Sequence, residues 1–428
     1  MKALQIAIVM LGLATPVSAQ TSQRPEGDAI YAGNYRMTSG EIVGIAQWAL
    51  ELDPEAPKVL CFTNFQSGRF GILTPSEHDV FTAGPGLMVA TPPDVTIAFE
   101  RAKDGRITAL TYEVAGQTKM RGTRLAMKRE EVSFESKGKR LNGILLLPSS
   151  GKRTGAVVLV PAATLGRYAA ATFPNFFLSQ GLAVLTYDRR SNPGLRKFED
   201  FADDAIAAVD YLRARKEIDP AKVGLWGHSQ GGWLSLLAAS RSKHVGFVVN
   251  HSGMLVPAWK QELYRLRAES EADGAPREEV AEEMAFAQKV MDVARTGQGW
   301  DELEKEIAKS KGKPWFSKVY APASREELQR VWDTDFSFDP GPHVRRVSCP
   351  VLGLFGALDK STPLESADIL KRELQAGGNA DFDVRIFPNA NHAFFESKTG
   401  GNKELLTLNR FAPGMFEAMR SWLKAHLR

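Results

Sequence analysis

The strongest constraint on the fold is a rhythm that begins near residue 131, where short apolar runs alternate with amphipathic stretches. EVSFES (131–136) and LNGILLLP (141–148) read as a leading antiparallel pair. They are followed by AVVLVP (156–161), a helix across Ala169 to Leu178, LAVLTYD (182–188), and a helix from about Phe198 to Arg215. KVGLWGH (222–228), a helix across Gly231 to Ser240, and VGFVVNHSG (245–253) continue the series. Strands that are apolar on both faces and separated by helices predict a mostly parallel sheet covered on both sides. In the second helix Phe201, Ala205, Ala208, Val209 and Leu212 share one face for the sheet, and Asp203, Asp204 and Arg213 are left for water.

The rhythm stops between Met254 and about Val347, where a long, charged, helical stretch includes Glu278 to Ala294 and Trp300 to Ile307. Because it interrupts a series of sheet strands, it is expected to form a cap above the sheet. Alternation resumes with PVLGLFG (350–356), a helix over Leu364 to Leu374, FDVRIFP (382–388), and a closing helix with Phe416, Met419, Trp422 and Leu423 on one side. Residues 130–428 thus form an α/β domain with a cap insertion at about 254–347.

Residues 28–128 follow a different grammar. VTIAFERA (95–102) and ITALTYEV (107–114) flank Lys103-Asp104-Gly105-Arg106, a hairpin signal, and Gln66-Ser67-Gly68-Arg69 marks a second turn. A small antiparallel β domain is expected there. Ahead of it, Lys2, the apolar run Ala3 to Ala14 and Val17-Ser18-Ala19 read as a secretory signal over 1–19, which predicts a periplasmic or secreted protein. The run is shorter than the ~20 residues that span a bilayer, so no stable membrane anchor is expected. Two cysteines, Cys61 and Cys349, do not make a disulfide framework; buried free thiols are the first expectation and one bridge the second.

With 54 Lys and Arg interleaved among 50 Asp and Glu, no basic block marks a nucleic-acid partner. Cys and His spacings suited to a metal and a Gly-rich phosphate loop are both missing, so no metal or cofactor is expected.

Chemistry gathers around Gly227-His228-Ser229-Gln230-Gly231, a G-x-S-x-G sequence directly after the strand VGLW and directly before a helix. A turn that tight strains the serine backbone, and a side chain at either flanking glycine would collide with neighbouring backbone. A serine hydroxyl is a weak nucleophile that needs a base, itself oriented by a carboxylate. Asp359 follows PVLGLFG, and His392 follows FDVRIFP within Asn389-Ala390-Asn391-His392-Ala393, so both lie past strand ends on the rim that carries Ser229. Taken singly, Asp359 serves equally as a helix cap and His392 as a loop histidine; the coincidence of all three at strand ends favours a triad. His228 is too close in sequence to reach the hydroxyl, and His251, which ends a strand near the same rim, ranks low for contact with substrate because it has no carboxylate neighbour in sequence. The oxyanion donors expected are the Gln230 amide and an amide of the loop Pro161-Ala162-Ala163-Thr164-Leu165-Gly166, Ala163 first and Ala162 next.

Tyr187-Asp188-Arg189-Arg190, the run from Asp219 through Gly227-His228-Ser229-Gln230-Gly231 to Trp233, Gly356-Ala357-Leu358-Asp359 and Asn391-His392-Ala393 together resemble the α/β-hydrolase superfamily over residues 130–428. The likeness is greatest to exported bacterial serine esterases related to the dienelactone hydrolase and acyl-CoA thioesterase branch. It implies a serine hydrolase that cleaves small-molecule carboxylic esters through an acyl-enzyme, with Ser229, Asp359 and His392 as triad. Thioester and exopeptidase chemistry use the same machinery, and an acyl-CoA substrate sits poorly with export. A non-catalytic binding protein on this fold is the alternative of a different class. The chain departs from the pattern at Pro161-Ala162, where relatives carry His-Gly, and at Ser191-Asn192-Pro193-Gly194, where they carry a Gly-rich turn. Arg167, Tyr168, Trp233, Met254 and Trp259 are candidates to line the substrate pocket, each also readable as core or surface.

Overall fold

The computed structural model describes residues 28–49, 58–149, 151–162, 167, 170–190 and 198–427; the expected signal segment lies outside them. Eight strands come first: β1 (Gly33–Met37), β2 (Ile42–Ala49), β3 (Lys58–Asn64), β4 (Phe70–Glu77), β5 (Val80–Ala83), β6 (Val95–Arg101), β7 (Ile107–Val114) and β8 (Met120–Arg124). Each pairs antiparallel with the next, and β8 returns to β1 with Tyr35 opposite Arg124, which closes a barrel. Closure leaves no unpaired strand edge. Alternation along the strands splits their side chains into two sets. Val43, Leu60 and Phe62 join Tyr31 and Tyr35 in a cluster made of the barrel's own residues, and Ile42, Cys61 and Phe70 pack instead on the domain that follows.

That domain contains β9 (Met127–Ser136), β10 (Lys139–Pro148), β11 (Thr154–Val160), α1 (Phe173–Ser179), β12 (Ala183–Tyr187), α2 (Phe198–Arg213), β13 (Ile218–His228), α3 (Gln230–Ala239) and β14 (Val248–His251). The cap follows, with α4 (Ala258–Ala272), α5 (Arg277–Thr296), α6 (Trp300–Ser310), α7 (Arg325–Val331) and the short α8 (Gly341–Val344). β15 (Val351–Gly356), α9 (Glu365–Ala376), β16 (Phe382–Phe387), α10 (Asn402–Leu405) and α11 (Met415–His426) complete the chain. The sheet order is β16-β15-β14-β13-β11-β12-β10-β9, antiparallel at the β9/β10 and β10/β12 pairs and parallel elsewhere.

Neighbouring residues of the central strands face opposite layers. Leu225 packs with α2, α3 and α9, and Trp226 packs with α1, α11 and the barrel. The cap has a core of its own around Phe286, Val290, Leu303 and Trp315. This is the three-layer α/β architecture expected, with a cap and a preceding antiparallel β module. One detail differs: Asp204 is buried rather than left for water, because Arg190 reaches it with Nε 2.7 Å from Oδ2. Cys61 and Cys349 are both unpaired, and burial pushes each thiol up to about 12. Among the described residues no helix is long and apolar enough to cross a membrane.

Candidate active site

β13 ends at His228 and α3 begins at Gln230, so Ser229 alone makes the turn, with φ +56° and ψ −123°. L residues rarely adopt this backbone, and holding it costs on the order of 1–3 kcal/mol. The flanking glycines make the turn sterically possible. A Cβ on Gly227 would lie 2.0 Å from the Gly231 carbonyl oxygen, and one on Gly231 would lie 2.4 Å from the Val160 carbonyl oxygen. Ser229 donates its N–H to the His251 carbonyl at 2.8 Å, which ties the elbow to β14. The start of α3 behind the serine favours negative charge there.

Asp359, in the turn after β15, is 3% exposed. Its Oδ1 accepts the backbone N–H groups of Ser361 at 2.8 Å and Thr362 at 2.7 Å. The same carboxylate receives His392 Nδ1, 2.9 Å from Oδ2. The cap role and the partner role therefore coexist: the two amides hold the carboxylate while it holds the imidazole. A carboxylate only accepts, so Nδ1 carries the proton and Nε2 of neutral His392 is left bare as a base. Burial draws the His392 pKa down, but the Asp359 charge and hydrogen bond outweigh it and hold the value above that of an ordinary histidine.

Two further histidines lie beneath this pair. His228 has its Nε2 2.7 Å from the carbonyl oxygen of His392, so Nε2 is protonated and donates. Burial pushes its pKa down to about 4. His251 is wholly buried among Phe394, Phe173 and Trp226, with ring centroids 4.1, 5.3 and 5.7 Å away, and burial holds it neutral. That enclosure agrees with the low rank of His251 as a contact for substrate.

A profile of the Alpha/beta hydrolase family matches residues 157–399, more than half of the 428-residue chain and the stretch that carries Ser229, Asp359 and His392. The chain belongs to this family. Among curated relatives, a protein of Escherichia coli O157:H7 provisionally named carboxymethylenebutenolidase is 44% identical over 48 residues, 11% of this chain and 17% of that protein. The thiohydrolase apmlB of Arthrinium phaeospermum is 32% identical over 85 residues, 17% of this chain and 26% of that protein. The matches thus span only a sixth to a quarter of the relatives' length. An esterase structure from Pyrococcus furiosus aligns with 71% of this chain and 92% of its own, at TM-score 0.46 and 14% identity.

In this member of the family the sequence Tyr187-Asp188-Arg189-Arg190 is engaged in structural contacts. Tyr187 is buried in the core, Asp188 is paired with Arg167, and Arg190 is paired with Asp204 and bonded to Ser136 Oγ at 3.1 Å. Arg189 lies 3.7 Å over the Phe201 ring, and its Nη1 donates to the Ala162 carbonyl at 2.7 Å and to Gln230 Oε1. It clamps the loop after β11 to the first residue of α3, the two places from which the oxyanion donors were expected. Local pattern did not reveal this role, because the contacts lie 27 and 41 residues away. Ala163 and Tyr168 lie outside the described residues.

The other candidates for lining the pocket are engaged elsewhere. Arg167 is bound to Asp188 and Glu131. Trp233 is 2% exposed and stacked on Phe338, and Met254 belongs to the same core cluster. These two corrections share a cause: α3 and the segment after β14 turn those side chains into the layer beneath the sheet. Trp259 packs against the cap core. A residue not foreseen, Tyr264 of α4, donates its hydroxyl to the Asp359 carbonyl at 2.6 Å and joins the cap to the turn carrying the acid.

Proposed function

We propose that this hydrolase cleaves small-molecule carboxylic esters through an acyl-enzyme intermediate on Ser229. In the first half-reaction Ser229 Oγ attacks the carbonyl carbon as His392 Nε2 takes its proton, and the Asp359 carboxylate stabilises the imidazolium. The oxyanion accepts the Gln230 N–H at the start of α3, with the second donor expected from Ala163. Collapse breaks the ester C–O bond, and the alcohol leaves with the proton from His392. Water, deprotonated by His392, then attacks the acyl carbon and releases the acid and Ser229.

The observation that carries the reading is the strained serine on a glycine-flanked elbow, on the same rim as a buried carboxylate bonded to a histidine. The name of the Escherichia coli relative supports an ester or lactone substrate, and the thiohydrolase match favours thioesters as a second class.

The test is turnover of short and medium acyl nitrophenyl esters and of matched thioesters, together with covalent labelling by a serine-directed phosphonate. Wild type is expected to turn over and label, and Ser229→Ala to do neither. A folded wild type that does neither returns the weight to a binding protein.

A further inference from the structure

The barrel interior carries large aromatic side chains, with Tyr31, Tyr35, Phe62 and Phe81 fully buried. The barrel packs on α1, where Asn34 Nδ2 donates to the Asn175 carbonyl and Asn175 Nδ2 to the Ile45 carbonyl, both at 2.8 Å, and its rim is bonded besides to one irregular segment. Phe70 N–H donates to the Asn409 carbonyl at 2.7 Å, Leu87 N–H to Leu408 at 2.8 Å, and Met88 N–H to Leu406 at 3.0 Å. In return Phe411 N–H donates to the Gly68 carbonyl at 2.9 Å and Asn409 Nδ2 to the Pro85 carbonyl. Arg69, 7% exposed, adds a bond from Nη1 to the Asn409 carbonyl at 3.0 Å.

The strap formed by residues 406–412 is bonded on its other side to the chain just after His392. Ala412 N–H donates to the Phe394 carbonyl at 2.8 Å, and Glu396 N–H to the Arg410 carbonyl at 2.9 Å. Phe395 N–H donates to Asn391 Oδ1 at 2.9 Å, and Phe70 touches both Phe395 and Phe411 with ring centroids 5.5 Å away. A continuous ladder therefore runs from the barrel rim through the strap to the loop that carries His392. Irregular backbone of this kind, without a sheet or helix of its own, depends on such partners for a defined geometry.

We infer that the N-terminal barrel is a positioning module for the base-bearing loop: Gly68–Phe70 and Leu87–Met88 hold residues 406–411, and these hold His392 in register with Asp359. The inference rests on His392 being the base. It assigns the barrel a role in the chemical step and none in binding substrate, so damage to the contact lowers kcat and leaves KM alone.

Gly86 offers a probe outside the barrel core, since a Cβ there would lie 2.8 Å from Thr407 Cα and 2.9 Å from the Leu406 carbonyl oxygen. Gly86→Ala drives a methyl between rim and strap, and Asn409→Ala removes only the bond to Pro85. Both are made in the full chain beside Lys103→Ala, on the β6–β7 turn, as a barrel substitution expected to change nothing.

In Gly86→Ala, kcat and phosphonate labelling of Ser229 are expected to fall together by about tenfold or more, as misplacing a catalytic group does, with KM within about twofold. Asn409→Ala should move the same way by less. An NMR titration of the His392 imidazole, which needs no turnover, should shift down toward an ordinary histidine in Gly86→Ala as its register with Asp359 loosens. Folded variants whose His392 titration and labelling rate match wild type overturn the inference, and so does a change confined to KM. If wild type proves inactive, the hydrolase reading fails separately and the titration still decides whether the barrel sets the environment of His392.

Discussion

A general base must be neutral to accept a proton, and at His392 burial and the Asp359 charge act on that ionisation in opposite directions, with the carboxylate prevailing. Ester kcat/KM is therefore expected to rise with pH and to level off through an inflection above the usual histidine value. In Asp359→Asn the inflection should move down and the rate fall by about 10⁴, since the amide orients the wrong tautomer; pH–rate profiles of the two proteins check both. The same residues carry opposite pH signatures in stability. With its folded pKa raised, His392 contributes stability that is fully present below the unfolded value and is lost as pH rises through the folded one. His228, lowered from 6.5 to about 4, is protonated first in the unfolded chain, so its effect is a loss of stability as pH falls across that window. The shift corresponds to on the order of 3 kcal/mol. His228→Gln, which can still donate to the His392 carbonyl, is expected to flatten the acid limb of a plot of unfolding free energy against pH. An acid limb as steep as that of wild type denies His228 that part.

Elements meet at this site through side chains that bridge them, and Arg189 is the clearest case. It leaves the end of β12, lies on Phe201 of α2, and grips both the Ala162 carbonyl beyond β11 and Gln230 at the start of α3. Removing that clamp should let the oxyanion loop drift without touching the bulk of the substrate. Arg189→Met is expected to lose about ten- to a hundredfold in kcat at nearly constant KM. Arg189→Lys should not restore it, because an ammonium lacks the flat guanidinium that lies on the Phe201 ring while its Nη1 reaches both acceptors. Steady-state kinetics on both variants decide the matter, and a folded Arg189→Met with wild-type kcat refutes the clamp. At this scale the limits of local reading are also visible. Asp204 occupies the water-facing side of a helical wheel, yet Arg190, 14 residues earlier, turns it into a buried partner. α4 looks like one more charged helix of the cap, yet Gln261 Nε2 donates to the Ser361 carbonyl at 2.7 Å while Tyr264 bonds to Asp359, which fastens it to the acid turn.

For the molecule as a whole, the two modules follow from two local grammars. Period-two alternation with turn residues produces the barrel strands, and apolar runs between amphipathic helices produce the covered sheet. The places of Ser229, Asp359 and His392 at strand ends were legible because each leaves a local mark: glycines around the elbow, an acid and a histidine each just past an apolar strand. Closure of the barrel was not legible, since it depends on β1 meeting β8 across 89 positions, Tyr35 to Arg124, and nothing in either strand names the other. The same holds for the pocket candidates: Trp233 and Met254 look like lining from their neighbourhood, and only packing shows both turned into the core. The ladder from Phe70 through Asn409 to Phe394 joins residues more than three hundred positions apart in turns without periodicity. Backbone chemistry and side-chain pattern are properties of a short window, so a short window specifies the elements and the reactive groups. Which loop rests on which rim is a property of the folded surface, where hydrogen bonds form between segments that carry no sign of one another until the chain has closed.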